Sequence, residues 1–241
     1  MAGHSQFKNI MHRKGIQDAK RAKVFTKLIR ELTTAARQGS ADQNANPRLR
    51  AAVAAARIAN MPRDTIDRAI KRGAGQEDGT VYESIRYEGF GPAGVAIIIE
   101  ALTDNRNRTA SEIRAAFSKQ GGNLGESNSV AFMFQRKGLI TIANSRIDAD
   151  RLLEIILDLG ADDLQTDDEN HYITAAIERF GQIRDTLEKQ VGDIKEAKLS
   201  WIPNTVMSVQ GETAEAILKL VETLEDNDDV QSVFVNAEIA D

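Results

Sequence analysis

Basic side chains dominate the first third of this 241-residue chain, and phosphate binding is the chemistry that they could support. Residues 1–75 contain 16 lysines and arginines against five aspartates and glutamates, a net charge of +11. The other 166 residues contain 15 against 31, a net charge of −16, so the overall charge of −5 conceals two oppositely charged parts. A uniformly positive surface favours binding of a polyanion such as nucleic acid, because binding releases the counterions condensed on the phosphates.

The candidate nucleic-acid contacts lie in a short N-terminal arm, in the helix predicted to follow it, and at the start of the next helix. Their cations would contact phosphates, and the Ser5 hydroxyl could bond a phosphate or a base edge. The predicted residues are His4, Ser5, Lys8, His12, Arg13, Lys14, Lys20, Arg21, Lys23, Lys27, Arg48 and Arg50. The alternative is that the basic domain docks electrostatically on the acidic domains of its own chain or of a partner protein. A membrane surface is disfavoured, because the apolar stripe of the basic helix is needed inside the helical bundle.

A second candidate contact is the segment 103–109, Thr-Asp-Asn-Arg-Asn-Arg-Thr. Thr103 or Asp104 could cap the helix that follows, but two arginines exceed what a cap needs. We therefore expect Asn105, Arg106 and Arg108 to make either a secondary nucleic-acid contact or a contact between domains.

Catalytic and cofactor motifs give no support for an enzyme. Residues 89–94 match the dinucleotide pattern G-x-G-x-x-G, but a β-branched strand follows where that motif requires a helix, so a hairpin turn is predicted. No serine-nucleophile motif occurs, and the chain has no cysteine. The three histidines, His4, His12 and His171, lack partners at metal-site spacing, so neither a metal nor another cofactor is expected. The acidic runs, including 226–229, are interpreted as solvated turns and caps.

The positions of apolar residues predict the elements that carry these side chains. Phe25, Leu28, Ile29 and Leu32 form one stripe of a helix from Ile16 to about Gly39, with Lys20, Lys23, Lys27 and Arg30 on its opposite face. Asn46-Pro47 and Pro62 begin two further helices. Strands and helices alternate after the glycine-rich stretch near residue 75, and residues 130–134 and 139–143 are predicted to form a hairpin around Arg136-Lys137-Gly138.

These elements predict an α+β multidomain fold. A basic three-helix domain (1–75) precedes two α/β sandwiches of the ferredoxin-like, ββαβαβ type. One sandwich is discontinuous (80–129 plus 204–241) because each of its parts leaves a sheet face uncovered, and the other (130–203) is inserted in it. The chain lacks both a long apolar run and a secretory signal, so a cytoplasmic location is expected.

Ordered motifs along the whole chain resemble those of the YebC/PmpR family. They include Gly3-His4-Ser5, His12-Arg13-Lys14, Asn46-Pro47-Arg48-Leu49-Arg50, Tyr87-Glu88-Gly89-Phe90-Gly91-Pro92 and Gly121-Gly122-Asn123-Leu124-Gly125, together with residues 103–109. Two positions depart from the family pattern: Phe7 stands in place of the usual tryptophan, and Asn128 replaces a glycine in a turn.

The resemblance implies a helical N-terminal domain and two α+β domains, the last inserted in the middle one. It also implies nucleic-acid binding, because bacterial members are described as DNA-binding transcriptional regulators, while mitochondrial translational activators of cytochrome oxidase look like ribosome-associated factors. The primary hypothesis is therefore a non-enzymatic DNA-binding regulator of transcription. The alternatives are a translation factor that binds ribosomal RNA through the same surface, and a pure protein-interaction module.

Overall fold

The computed structural model describes residues 17–75 and 81–240, and side chains from residue 22 onward. Within these residues the chain forms two compact units, one of residues 17–133 with 207–240 and one of residues 134–206. The fold is α+β, as predicted, with helices at the N-terminus followed by two four-stranded antiparallel sheets. The division into three domains stays a prediction.

Three helices open the described chain, close to the positions that their apolar stripes and caps predict. Their bounds are α1 Gln17–Gln38, α2 Pro47–Ile58 and α3 Arg63–Ala74. Asn46 caps α2 by accepting a hydrogen bond from the Leu49 N–H, and Pro47 occupies the first turn, where its missing N–H costs nothing. Leu32, Leu49, Val53 and Ile66 are buried where the three helices meet, and Phe25, Leu28 and Ile29 pack against them. Gly73 permits this packing, since a Cβ there would overlap the backbone of Thr33.

The same unit contains two helices and a four-stranded sheet, whose strands lie in the order 123–124, 83–90, 96–103 and 230–235. Ile97, Ile113, Phe117, Ile217 and Leu220 are fully buried. The elements are β1 Glu83–Phe90, β2 Ala96–Thr103, α4 Arg106–Lys119, β3 Asn123–Leu124, β8 Met207–Val209, α7 Gly211–Glu225, β9 Val230–Val235 and β10 Ala237–Ile239. β9 pairs antiparallel with β2, and β10 pairs parallel with β8. The C-terminal segment therefore completes the sheet that residues 83–124 begin.

The turn between β1 and β2 confirms that the G-x-G-x-x-G pattern is a hairpin connection. Residues 92–94 form a single 3₁₀ turn, and the Gly91 N–H donates to the Val95 carbonyl oxygen at 2.7 Å. β2 follows directly, so no helix N-terminus is present to receive a pyrophosphate.

The unit of residues 134–206 has the element order β-α-β-β-α-β, and the strands of its sheet lie in the order 163–166, 170–175, 134–143 and 196–203. Ile140, Ile142 and Ile173 of the sheet pack against helix residues such as Leu152 and Ile183. The elements are β4 Phe134–Ala143, α5 Ala149–Leu159, β5 Asp163–Thr166, β6 Asn170–Ala175, α6 Ile177–Val191 and β7 Glu196–Pro203.

The predicted hairpin around Arg136-Lys137-Gly138 is wrong, because residues 134–143 form one uninterrupted strand, β4. Gly138 lies inside this strand and pairs with Ala175 on one side and Leu199 on the other. The Phe180 ring occupies the space that a Cβ at residue 138 would need. The glycine therefore permits close helix packing and does not mark a turn.

Candidate nucleic-acid interface

The predicted interface divides between side chains that the structure describes and side chains that it does not. His4, Ser5, Lys8, His12, Arg13 and Lys14 lie outside the described residues, as does Phe7. Lys20 and Arg21 lie on α1, but their side chains are not described. Lys23, Lys27, Arg48 and Arg50 can be placed, and the structure brings the first two into contact with the chain's own acidic C-terminal segment.

Lys23 and Lys27 of α1 contact the C-terminal end of α7. The Lys27 ammonium donates to the Glu225 carbonyl oxygen at 2.8 Å, and Lys23 Nζ lies 2.6 Å from Asp226 Oδ1. Cations are favourable at this position because the last carbonyls of a helix carry a partial negative charge. Burial lowers the pKa of Lys27, and the nearby Glu225 carboxylate opposes that shift. For these two residues the structure therefore shows docking within the chain, the alternative that the sequence left open.

Arg30, one helical turn further along α1, makes the most buried of these contacts. Its Nη1 atom donates to Asp229 Oδ1 at 2.9 Å, to the Asp228 carbonyl at 2.7 Å and to the Leu102 carbonyl at 3.1 Å. Its guanidinium carbon also lies 4.9 Å from the centre of the Tyr82 ring. The basic face of α1 is thereby fixed against the loop between α7 and β9.

Asp229 joins three separate segments of this unit, although the sequence indicated only a solvated turn. Asp229 is 3% exposed as a whole residue, and its Oδ2 atom accepts from Thr103 at 3.0 Å and from Thr109 and Arg108 at 2.7 Å. Burial raises the pKa of a carboxyl group, but the hydrogen bonds from Thr109, Arg108 and Thr103 outweigh that effect and lower the pKa of Asp229. The charged carboxylate is therefore a stable part of the folded chain.

The segment 103–109 makes contacts inside this unit at the end of β2 and the start of α4. Asn105 provides the cap of α4 by accepting from the Arg108 N–H, so the prediction that Thr103 or Asp104 caps this helix is wrong. The Arg108 side chain donates hydrogen bonds to Asp229 and, at 2.9 Å, to Asp104. The hydrogen bond to Asp229 raises the pKa of Arg108. Arg106 and Asn107 are exposed. Of the two arginines, Arg108 is held within the unit and Arg106 lies at the surface.

Arg48 joins α2 to α1, whereas Arg50 lies at the surface. Two parallel hydrogen bonds connect Arg48 to the Glu31 carboxylate, with Nε–Oε1 at 2.6 Å and Nη2–Oε2 at 2.9 Å. The hydrogen bonding of Arg48 to the Glu31 carboxylate raises the pKa of Arg48. Arg50 is exposed and donates to the loop carbonyls of Gln43 and Asn44. Among Lys23, Lys27, Arg48 and Arg50, Arg50 is the exposed residue.

The outer surface of α2 and α3 presents further cations. We define the α2–α3 basic surface as the exposed residues Arg50, Arg57, Arg63, Arg68, Lys71 and Arg72. Two exposed acids of α3 lie among these cations: Asp64 pairs with Arg68 and Asp67 with Arg63, both in the i,i+4 arrangement, and the Arg63 side chain is 94% exposed. Exposed pairs of this kind contribute little stability and leave the cations accessible. The surface therefore carries six positive charges against two negative ones.

Glu88 and Asn128 together fix the loop that precedes the unit of residues 134–206. The Glu88 carboxylate is buried and accepts backbone N–H bonds from Asn128, Val130 and Ala131 at 2.8–3.0 Å, while Arg86 lies 2.8 Å from it. Burial raises the pKa of a carboxyl group, but these N–H donors outweigh it and lower the pKa of Glu88. Asn128 has φ +67°, which explains why glycine is the alternative residue here, and its Oδ1 accepts from Arg86 at 2.8 Å.

His171 has a structural environment, and no cluster of metal-binding side chains occurs among the described residues. The ring is buried, with Nε2 2.9 Å from the Ile147 carbonyl and Nδ1 2.8 Å from the Thr166 hydroxyl. A carbonyl only accepts, so Nε2 donates to Ile147. No helix in the described part of the chain is both long and apolar enough to cross a membrane.

The sequence interpretation missed Asp229 and Glu88 as organising residues. Asp229 is one of several acids in a polar run, and nothing in that run distinguishes it from Asp226 or Asp228. Glu88 carried one available signal, since a carboxylate with apolar neighbours in a strand must be paired with donors when it is buried.

Comparison with known proteins finds the same pattern along the whole chain. A family model described as the TACO1/YebC N-terminal domain matches residues 5–76, and one described as the TACO1/YebC second and third domain matches residues 82–237. A crystal structure of a conserved hypothetical protein, Aq1575, from Aquifex aeolicus is 43% identical to this chain. The match has a TM-score of 0.89 and covers 98% of each chain. None of these descriptions names an enzymatic activity.

Proposed function

The chain belongs to the TACO1/YebC family, and from this premise we propose that it is a non-enzymatic regulator of gene expression that binds nucleic acid. The α2–α3 basic surface carries the proposal. Its six exposed cations outnumber its acids, while Lys23, Lys27 and Arg30 are already engaged with the acidic C-terminal segment. The proposed phosphate contacts are therefore the cations of this surface together with the N-terminal arm.

Duplex DNA is the first candidate ligand, and the proposed role is regulation of transcription. Phosphate contacts position a protein on a duplex without reading its sequence, and they make the affinity depend strongly on salt. The slope of log affinity against log salt concentration is negative, and each phosphate contact adds about 0.9 to its magnitude for duplex DNA. The salt slope therefore counts the contacts and gives the proposal a quantitative test.

The experiment compares two triple variants with the unmodified chain. Arg57→Gln/Arg63→Gln/Lys71→Gln removes three cations of the α2–α3 basic surface, and Arg151→Gln/Arg179→Gln/Lys189→Gln removes three from residues 134–206. Binding of a fluorescein-labelled 24-base-pair DNA duplex is measured by anisotropy between 50 and 250 mM KCl. We expect the first variant to bind more weakly, with a salt slope smaller in magnitude by about 2–3. The second variant should retain the original slope.

Equal slopes for the two variants would show that the α2–α3 basic surface does not contact phosphates. A further variant, Lys23→Gln/Lys27→Gln, tests the assignment from the structure. Because both cations contact Glu225 and Asp226 inside the chain, we expect the salt slope of this variant to stay within about 0.5 of the original.

Binding to ribosomal RNA is the alternative role of the same surface. Sedimentation of cell lysate through a sucrose gradient separates the two roles, because a translation factor would migrate with ribosomes after DNase treatment. Protein that sediments apart from ribosomes and binds promoter fragments selectively would support regulation of transcription.

A further inference from the structure

We propose that residues 134–206 contain a second nucleic-acid contact, in which Trp201 and Arg136 bind an unpaired nucleobase together with its adjacent phosphate. The inference rests on the proposed function for the class of ligand, but it uses a different surface. We call this surface the aromatic corner and define it by Arg136, Leu199 and Trp201.

The strand register places these side chains on one face of the sheet. Arg136 of β4 is directly opposite Trp201 of β7, and Gly138 is directly opposite Leu199. Side chains two residues apart on a strand point to the same face, so Leu199 and Trp201 lie side by side. The Arg136 guanidinium carbon lies 5.8 Å from the centre of the Trp201 ring, which is the geometry of a cation–π pair.

The aromatic corner is partly exposed to solvent, on the face of the sheet that helix α6 covers further along. The Phe180 ring packs on Gly138, and Ile183 and Leu187 continue along the buried face of the sheet, so α6 covers this face from Gly138 onward. Leu199 is 37% exposed and Trp201 is half-buried, while Ile177, the first residue of α6, is 40% exposed. β7 is an edge strand, so a ligand can approach Trp201 from the side.

The chemistry of the corner fits a base and a phosphate. A flat aromatic ring beside the aliphatic side chain of Leu199 provides a stacking surface for a base, and the paired arginine adds a positive charge for the phosphate. Glu178, in the first turn of α6, is the acidic neighbour of Ile177 and limits the positive field. Recognition therefore depends on stacking more than on charge, unlike recognition by the α2–α3 basic surface.

The opposite side of the same strand ends contains a cleft of about 380 Å³ lined by Gln135, Lys137, Ile202, Pro203 and Asn204. This volume is within the range of small-molecule sites, about 300–1,000 Å³. Its two amide side chains can donate to and accept from a base edge, and Lys137, 3.2 Å from Asp162, adds a cation. The cleft can receive the neighbouring nucleotide of a strand that passes around the β7 edge.

A stacking site of this kind selects single strands over duplexes. Bases in a duplex are already stacked on each other, whereas an unpaired base can leave its neighbours and stack on an aromatic side chain. The proposed ligand is thus an unpaired nucleotide, which either RNA or a melted DNA strand can supply.

The test uses the fact that Trp201 is the single tryptophan of the chain, so tryptophan emission reports on the aromatic corner alone. The full chain is titrated with 12-nucleotide oligouridylate, 12-nucleotide oligothymidylate and a 12-base-pair DNA duplex. We expect both single strands to quench Trp201 emission, while the duplex binds without quenching it. The tighter of the two single strands identifies the source as RNA or DNA. Single-strand binding that leaves the emission unchanged would overturn the inference, as would equal quenching by the duplex.

Variants provide a second readout with fluorescein-labelled oligouridylate. Trp201→Leu and Arg136→Gln should weaken binding about fivefold or more, because stacking contributes about 1–3 kcal/mol per base. Trp201→Phe retains a stacking ring and should stay within about twofold of the original affinity. Lys189→Gln, on the exposed side of α6, is the matched control and should bind normally. Urea unfolding of each variant verifies that the fold is retained.

The two proposals fail in different ways. If Trp201→Leu binds oligouridylate like the unmodified chain while Arg57→Gln/Arg63→Gln/Lys71→Gln loses duplex binding, only the aromatic corner is excluded. If the unmodified chain binds neither duplex nor single strand, the proposed function itself fails.

Discussion

Arg30 Nη1 and Asp229 Oδ1 lie 2.9 Å apart, although 199 residues separate them in the sequence. Their side chains are 15% and 5% exposed, so this ion pair is largely protected from solvent. Asp229 also accepts from Thr103, Thr109 and Arg108, and it thereby joins α1, the end of β2, the start of α4 and the start of β9. The helices of the basic segment and the acidic C-terminal segment are held together at this carboxylate.

Replacement of Asp229 should strongly destabilise the fold. Asp229→Ala leaves Arg30 and Arg108 without their shared carboxylate, and loss of one partner of a buried pair costs about 3–5 kcal/mol. The free energy of unfolding, measured in urea, should fall by that amount. Asp228→Ala, at an exposed neighbour, should change it by no more than about 0.5 kcal/mol. Equal effects of the two changes would contradict the central role of Asp229.

Acid should weaken the fold through Asp229 and Glu88. The pKa of each is lowered in the folded chain, despite the opposing effect of burial, by the donors that surround it. Their stabilisation is therefore complete above about pH 4, the ordinary carboxyl pKa of an unfolded chain, and is lost as the pH falls through the lower folded-state values. Urea midpoints between pH 7 and pH 2.5 should show this decline, and Glu88→Gln should make it shallower. An acid decline of unchanged steepness in Glu88→Gln would contradict the assignment.

Gly138 should not tolerate a side chain. Gly138→Ala places a methyl group against the Phe180 ring, and overpacking of this kind costs about 1–3 kcal/mol. Gly181, on α6, has open space around its Cα, so Gly181→Ala should instead stabilise the chain by about 0.5–1 kcal/mol through its helix preference. Thermal unfolding of the two variants should thus shift the midpoint in opposite directions. A neutral Gly138→Ala would mean that Phe180 does not pack on β4.

Asn128 should be replaceable by glycine but not by alanine. Its φ of +67° costs an ordinary L-residue about 1–2 kcal/mol, whereas glycine adopts it freely. Asn128→Ala should lower the free energy of unfolding by about that amount, and it also loses the hydrogen bond from Arg86. Asn128→Gly should lose less than Asn128→Ala. The reverse order in urea unfolding would exclude a left-handed conformation at this turn.

The fold class and most of the elements could be predicted because their signals are local. The Asn46-Pro47 cap, the apolar stripe of α1 and the β-branched run after Gly94 each lie within one or two turns of the structure that they determine. The hairpin predicted at Gly138 failed for the opposite reason. A glycine between polar residues is typical of a turn, and only the Phe180 ring, brought onto β4 by helix α6, shows why glycine is required within the strand.

The candidate site shows the same division. Charge composition identified the basic segment, and periodicity placed Lys23, Lys27 and Arg30 on one face of α1. Neither could show that this face meets the C-terminal end of α7, because that contact depends on how distant segments pack. The structure therefore moves the proposed phosphate contacts from the α1 face to the outer surface of α2 and α3.

The sequence by itself determined the segregation of charge, the helices and strands with strong periodicity, and the family. Tertiary structure alone decided which charges remain available to a ligand and which hold the chain together. The physical reason is that Asp226, Asp228 and Asp229 have the same chemistry, while their environments differ. Packing leaves Asp226 and Asp228 exposed and surrounds Asp229 with two guanidinium groups and two hydroxyls.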